Sequence, residues 1–454
     1  MKNLPNNLSG CRTLLYGYGK SNRALVRLLN KEGAFISLYD EKKSAERLLE
    51  EAKEDGCEKI AIIGQEEKIN ADIIFRTPGI RPDVKKISEA VERGAILSSE
   101  VELFFERAKG KIYGITGSDG KTTTTSITGK ILEKAFEKSG KRVFVGGNIG
   151  KPLVSFLDEL TENDVTVAEL SSFQLMTLGC SPSVVAITNI TENHLDYHKD
   201  MREYVAAKSR IFSGKSCDRL VIGEKTLNIF KDNVLTKADK LFPKEITEIS
   251  GNGEINLKNG GIYLCGERVL DTGEIKIPGQ HNIENYMTSI GITKNDASFN
   301  DICEVAKTFS GAEHRMEFVR ILNGVSFYNS SIDSTPSRSL VTLKCFQKPL
   351  TVIAGGYDKK LDYKEFAKIL SQKADNVVLT GDTAEIIKNE LDRLGYVNNF
   401  RIYMESDFEK AVVIAASVTK KSGKVLLSPA SASFDAFTNF EERGRIFKNI
   451  VNSL

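Results

Sequence analysis

The chain has little that would tie it to a membrane, to nucleic acid or to an oxidising compartment. No apolar run in its 454 residues approaches the length of a membrane span, and the polar start MKNLPNNLSG lacks the apolar centre of a secretory signal. Neither sign of charge is in excess. Lys and Arg total 63 against 61 Asp and Glu, a formal charge of +2, so no basic surface is expected for nucleic acid or an anionic bilayer. The seven cysteines, at 11, 57, 180, 217, 265, 303 and 345, are odd in number and scattered, with no C-x-x-C pair for zinc or dithiol chemistry. Low-complexity tracts, heptads and short repeats are missing too. A soluble, cytoplasmic protein with reduced thiols and small-molecule chemistry is expected, with neither a nucleic-acid nor a membrane partner.

The length is comfortable for three domains. The most informative stretch is residues 111–125, KIYGITGSDGKTTTT. Ile112, Tyr113 and Ile115 predict a buried strand, and Ser126, Ile127, Ile131 and Leu132 begin a helical face. Between them Gly117, Ser118, Asp119 and Gly120 form a turn whose N–H groups can point inward. Lys121 adds a full charge, and the hydroxyls of Thr122 and Thr123 follow, with Thr122 placed to sit on a magnesium ion. The glycines fall at 114, 117 and 120, and Ile115 stands where a strict P-loop has glycine. An ordinary Gly-rich turn is the plain alternative, but the strand before and the helix after favour a nucleoside triphosphate site.

Upstream, a strand at 13–16, the turn Gly17-Tyr-Gly19-Lys-Ser-Asn22, a helix with Leu25, Val26, Leu28 and Leu29, and a strand at 34–39 ending at Asp40 make a βαβ opening. It nearly matches the dinucleotide fingerprint, with Asn22 in place of the third glycine. A tight turn and a nucleotide or nucleotide-sugar site both remain open here. Downstream, short apolar strands at 141–146, 164–170, 183–189 and 218–223 alternate with helical segments and predict a mostly parallel sheet, with ligands at its C-terminal edge. Glu169 and His194 fall at that edge. His194 and His198, four apart, would share a helical face, but a third zinc ligand and an HExxH glutamate are missing. His198 is expected at the surface or as a helix cap, whereas His194 is compatible with magnesium beside a carboxylate and phosphate oxygens. Lys208 reads by spacing alone as a solvated lysine. From 312 onward, strands at 324–329, 350–356, 375–381, 401–404 and 424–431 again alternate with helices, and the run from 428, SPASASFDAFTNFEERG, offers either anion-accepting groups at a helix start or a simply capped helix. The fold class is α/β: three successive α/β domains at 1–99, 100–311 and 312–454, the first and last Rossmann-like and the central one a P-loop ATPase domain with a mostly parallel sheet.

Together these stretches resemble the Mur ligase family over essentially the whole chain. The motifs are GITGSDGKTTTT (114–125), GGNIGKPL (146–153), ELSSFQL (169–175), NITENHLDYH (189–198), YVAAKSRIF (204–212), GQHNIENY (279–286), EHRMEFV (313–319), AGGYDKK (354–360) and LLSPASASFDAFTNFEERG (426–444). Folylpolyglutamate synthetase is resembled more faintly, and the last run resembles the D-glutamate-adding branch. The resemblance implies ATP-dependent amide formation by a cytoplasmic monomer, through an acyl phosphate on the carboxylate of UDP-N-acetylmuramoyl-L-alanine that D-glutamate then attacks. It implies Mg2+ at two sites, Thr122 and Glu169 on one ion and His194 on the other, with Lys208 carbamylated to help hold the second. It places ATP on residues 117–123 with Asn285 and Arg315, the UDP-sugar on Ser21, Asp40, Glu41 and Asn148, and D-glutamate on Lys359, Ser433, Phe434 and Phe440. The catalytic set it implies is Lys121, Glu169, His194 and Lys208. One departure stands out: the family pairs Asn with Asp where this chain has Asn329-Ser330, and Asp333 lies three residues on. A related ligase with another amino acid and a nucleotide-binding regulatory module are the competing readings, and retention of Glu169, His194 and Lys208 weighs against the module.

Overall fold

The computed structural model describes residues 4–57, 59–214, 216–233, 243–277, 279–395 and 400–454. Among them, twenty strands form three sheets of five, nine and six strands. The chain forms two compact units, residues 1–275 with 280–307 and residues 276–279 with 308–454.

The first sheet contains β1 (Arg12–Tyr16), β2 (Phe35–Tyr39), β3 (Ile60–Ile62), β4 (Ile73–Arg76) and β5 (Ile96–Ser98). All are parallel, in the order β3-β2-β1-β4-β5. Side-chain alternation along β1 sends Leu14 and Tyr16 into one core with Ile74 and Ile87, and Leu15 into the other with Leu25, Leu29, Leu38 and Phe75. Asn22, fully buried where the fingerprint has glycine, donates its amide N–H groups to the carbonyls of Tyr16 (3.3 Å), Gly17 (2.7 Å) and Phe75 (2.9 Å). It ties the ends of β1 and β4 together, so the missing glycine is a structural staple.

The second sheet contains β6 (Lys111–Thr116), β7 (Val143–Gly147), β8 (Val165–Glu169), β9 (Val184–Ile187), β10 (Arg219–Gly223), β11 (Glu245–Ile249), β12 (Ile255–Lys258), β13 (Gly261–Leu264) and β14 (Glu267–Asp271). Its order is β14-β13-β12-β11-β10-β9-β6-β8-β7, parallel from β7 through to β12, with antiparallel pairing from β12 to β14 at one edge. The apolar strands are buried on both faces, as a helix-covered parallel sheet requires. The helix Lys121–Phe136 packs on the helix Gln280–Thr293, where Thr128 Oγ1 donates to Ser289 Oγ at 3.1 Å.

The third sheet lies in the second unit: β15 (Glu317–Leu322), β16 (Val325–Asn329), β17 (Leu350–Gly355), β18 (Asn376–Thr380), β19 (Arg401–Met404) and β20 (Lys424–Leu427). The order is β15-β16-β20-β17-β18-β19, and only β15 runs antiparallel to its neighbour. It has its own two cores, one built on Val352, Leu379 and Leu426 and the other on Ile353, Val378 and Phe447.

Candidate functional site

β6 ends at Thr116 and the chain turns through residues 117–120 into the helix Lys121–Phe136. Two glycines make the turn possible. Gly117 has φ +149° and a Cβ there would lie 1.9 Å from Thr188 Oγ1; Gly120 has φ +78° and a Cβ there would lie 2.5 Å from Asn285 Oδ1. Gly120 caps the helix without a side-chain hydrogen bond, which leaves the first-turn N–H groups to an anion. The loop is braced from β9's trailing segment. Ser118 N donates to Asn189 O at 2.9 Å, Asp119 N to Asn189 Oδ1 at 2.9 Å, and Thr188 Oγ1 to Asp119 O at 2.5 Å. Lys121 Nζ folds over the loop onto the carbonyls of Gly117 (2.8 Å) and Ser118 (2.6 Å).

Lys208 is not a solvated lysine. It is 1 % exposed on the helix Met201–Ser209, donating to Gly117 O at 2.7 Å and Thr116 Oγ1 at 3.3 Å with its ammonium 4.7 Å from the Tyr204 ring centroid. Burial, reinforced by the charge of Lys121, pushes its pKa well below that of an ordinary lysine. Glu169 ends β8, paired beside Ile115 of β6, and is equally buried. Its Oε1 accepts from Asn148 Nδ2 at 2.7 Å, whereas its Oε2 is buried with no hydrogen-bond partner. The magnesium implied by the family fits these residues on that observation, since a buried anionic oxygen without a donor is satisfied by a cation. Among the described residues no three His, Cys, Asp or Glu side chains converge to hold a metal by themselves. An ion here would take its other oxygens from phosphate and water, the usual habit of magnesium.

Asn285, beneath Gly120, accepts from Thr124 Oγ1 at 3.1 Å and donates to Asn282 Oδ1 at 3.0 Å. The structure thus gathers Lys121, Glu169, Lys208, Asn148 and Asn285 around the loop. Thr122 and Thr123 open the helix, and Ser126 Oγ donates to Thr122 O at 2.9 Å. His194 lies on an exposed turn at φ +56°, its ring edge-on to Phe173 at 4.8 Å. That stretch is not a helix, so His194 and His198 do not share a helical face. Nor is His198 at the surface. It is 1 % exposed among Phe173, Tyr197 and Tyr204, its Nε2 lies 2.9 Å from Ser172 Oγ, and burial lowers its pKa.

In the first sheet Asp40 Oδ2 accepts from Tyr18 N at 2.8 Å, Glu41 Oε1 from Tyr16 OH at 3.4 Å, and Ser21 lies in the first turn of the helix Lys20–Glu32.

In the second unit Arg315 follows His314, whose φ of +61° begins a tight turn. Ser330 is fully buried and its Oγ accepts from Met316 N at 3.3 Å. Asp333 points inward as well, accepting from Ser428 Oγ at 2.8 Å, and burial raises its pKa against the hydrogen bonds of Ser428, Thr342 and Ser330. Lys359 Nζ stands 5.6 Å from the ring centroid of Phe434, which is 60 % exposed beside Tyr357, and Ser433 is buried next to it. Phe440 has its ring edge-on to His314 at 6.1 Å and its carbonyl accepting from Ser331 Oγ at 2.8 Å. The hydroxyls after β20 are turned inward, Ser431 onto Tyr363 and Thr383, and the helix Phe440–Ser453 is capped by Asn439. Arg443, 2 % exposed, was missed by sequence reasoning. It spends its guanidinium on Ser331 Oγ and on the carbonyls of Ser331, Ser431 and Ala432.

A strand, a glycine-hinged anion loop, a buried lysine and an unsatisfied carboxylate define a nucleotide-dependent group-transfer site, and the chain belongs to the Mur ligase family. Residues 115–293 match the Mur ligase middle domain, and residues 314–431 match the Mur ligase glutamate ligase domain. Within the family the chain is 43 % identical over 450 residues to the UDP-N-acetylmuramoylalanine--D-glutamate ligase of Clostridium kluyveri, covering 96 % of each chain. It is 40 % identical over 449 residues to the ligase of the same name from Clostridium botulinum strain Hall, covering 98 % of this chain and 97 % of the relative. Among solved structures it is similar to the UDP-N-acetylmuramate-alanine ligase MurC of Thermotoga maritima, with a TM-score of 0.55, 20 % identity and coverage of 98 % and 99 %. It is also similar to the MurF ligase of the same organism in complex with ADP, with a TM-score of 0.54, 15 % identity and coverage of 98 % and 96 %. These structural likenesses concern the fold.

Proposed function

We propose that the protein is an ATP-dependent ligase that joins D-glutamate to UDP-N-acetylmuramoyl-L-alanine in peptidoglycan biosynthesis. The choice of amino acid rests on relatives named for D-glutamate ligation that span nearly the whole chain. The chemistry rests on Glu169 Oε2, buried and unpartnered beside the phosphate loop.

Phosphoryl transfer demands alignment and charge neutralisation more than covalent help. The loop N–H groups at the uncapped helix start grip the ATP phosphates, and Lys121 swings from the carbonyls of Gly117 and Ser118 to the β/γ oxygens. The carboxylate of UDP-N-acetylmuramoyl-L-alanine attacks the γ-phosphorus and ADP leaves. The amine of D-glutamate then adds to the acyl phosphate, and the tetrahedral adduct loses a proton and inorganic phosphate to leave the amide. Two magnesium ions would supply charge neutralisation along the phosphates, Thr122 and Glu169 holding one and His194 with Lys208 the other. Lys208 serves as a carbamate, formed when its neutral amine adds to CO2 with loss of one proton. Asn148 orients Glu169 through their 2.7 Å hydrogen bond. We assign residues 1–99 to the UDP-sugar through Ser21, Asp40 and Glu41, 100–311 to ATP with Asn285, and 312–454 to D-glutamate through Lys359, Ser433, Phe434 and Phe440, with Arg315 on the nucleotide. We place the enzyme in the cytoplasm as a monomer; no helix among the described residues is long and apolar enough to cross a membrane.

Phosphate release tests the reading. With ATP, magnesium and UDP-N-acetylmuramoyl-L-alanine, release is expected on addition of D-glutamate and not of L-alanine, L-lysine or diaminopimelate. Release indifferent to D-glutamate overturns the assignment, and release with no amino acid dependence overturns the ligase itself.

A further inference from the structure

The helix Met201–Ser209 touches the phosphate loop at two points. Lys208 donates to Gly117 O at 2.7 Å, and the Tyr204 hydroxyl lies 2.8 Å from Ser118 Oγ. Its first turn is held from the first sheet. Arg81, on the loop that follows β4, makes a two-pronged contact with Glu203, Nη2 to Oε1 at 2.8 Å and Nη1 to Oε2 at 2.9 Å, and donates from Nη1 to Tyr197 O at 2.5 Å. Lys199 N donates to the same Glu203 Oε2 at 2.8 Å. Tyr197 fastens the segment a second time, its hydroxyl lying 3.0 Å from Pro78 O and 3.1 Å from Ile80 O, and its ring packing on Phe173 at 4.1 Å. Arg76, 1 % exposed, closes the knot by donating from Nη2 to Phe173 O at 2.9 Å and from Nη1 to Pro78 O at 2.9 Å. Phe173 in turn carries the His194 ring on its edge.

We propose that Arg81 is a positioning residue for the reaction. Through Glu203 and Tyr197 it sets the helix bearing Lys208 and the turn bearing His194 against the loop after β4, so that a ligand held by the first sheet meets the phosphate loop in one register. The proposal rests on the reading given under Proposed function. The Arg81 and Glu203 side chains are 22 % and 24 % exposed, a partly buried pair whose contribution to stability is modest. Its fork geometry nevertheless fixes direction at both ends, and a misplacement of about 1 Å in such a site costs about a hundred-fold in rate.

The test compares Arg81→Ala, Arg81→Lys and Glu203→Gln with the unmodified protein. Arg81→Ala is expected to lower kcat by about a hundred-fold while leaving the KM for ATP nearly unchanged and lowering the melting temperature only modestly, with the protein still folded at the assay temperature. Arg81→Lys is expected not to restore the rate, because an ammonium lacks the fork. The double variant Arg81→Ala with Glu203→Gln is expected to be no slower than the worse single one. An unchanged kcat, strictly additive losses, or a kcat loss accounted for by unfolding at the assay temperature overturns the proposal. Hydrogen exchange at residues 194–209, read without turnover, is expected to quicken in Arg81→Ala, and unchanged exchange counts against the tie. Unmodified protein that shows no D-glutamate-dependent release sinks the functional reading alone.

Discussion

Lys208 shows how far a single residue can depart from its local pattern. YVAAKSRIF spaces it as a solvent lysine, yet the fold encloses it with its ammonium on Gly117 O. The cause is tertiary: the helix bearing it lies beneath a loop nearly a hundred positions earlier in the chain, which spacing does not encode. Lys208→Ala is expected to lose more than about a hundred-fold in rate, the scale of removing one charge-stabilising group, and acetate or formate should return part of it. Full activity in that variant removes the carbamate. The same blindness hid His198, whose burial comes from Phe173, Tyr197 and Tyr204 closing round it, and Asn22, whose amide spans two strands. Ser330, where the family has Asp, holds the Met316 N–H, and Asp333 is spent inside the unit, so neither stands in for the family's aspartate as an outward-facing carboxylate.

Among the elements, the phosphate loop was the most legible because glycine, lysine and hydroxyls each answer a local demand there. Gly120→Ala should cost about 1–2 kcal/mol from the left-handed φ alone, before the crowding by Asn285 Oδ1, and should weaken ATP binding at least ten-fold, as isothermal titration would show. The helix Glu100–Arg107 carries a different liability. Glu100 is fully buried, accepts from Val154 N at 2.7 Å, and has its pKa pushed up to about 7 by burial. A carboxyl raised on folding favours the protonated folded state. Its contribution is complete below the unfolded pKa of 4.5 and is lost as pH rises through about 7. Glu100→Gln is therefore expected to flatten the decline in stability between those values, by about 3 kcal/mol at most, in urea titrations across that range. A variant with the unmodified slope contradicts this.

On the scale of the whole molecule, the α/β alternation and parallel sheets could be read from apolar runs, because strands covered on both faces need them. The ties between sheets could not. Arg81 and Glu203 stand 122 positions apart, and nothing in either neighbourhood names the other. The hydroxyls of 428–433 suggested anion binding but mostly serve internal hydrogen bonds, since a polar run looks the same whether its partner is a ligand or the protein. The cores of the third sheet draw only on residues beyond 315, so a fragment beginning at Thr308 should unfold cooperatively by itself in circular dichroism, without hydrolysing ATP; a non-cooperative melt refutes that independence. The bare oxygen of Glu169 reaches furthest. A desolvated acceptor penalises the folded chain until something fills it, so a cation that bound there would be linked to folding in one equilibrium. Heat resistance of this protein is then partly a property of its solution: the melting temperature should climb with magnesium nucleotide, and the climb should shrink in Glu169→Gln.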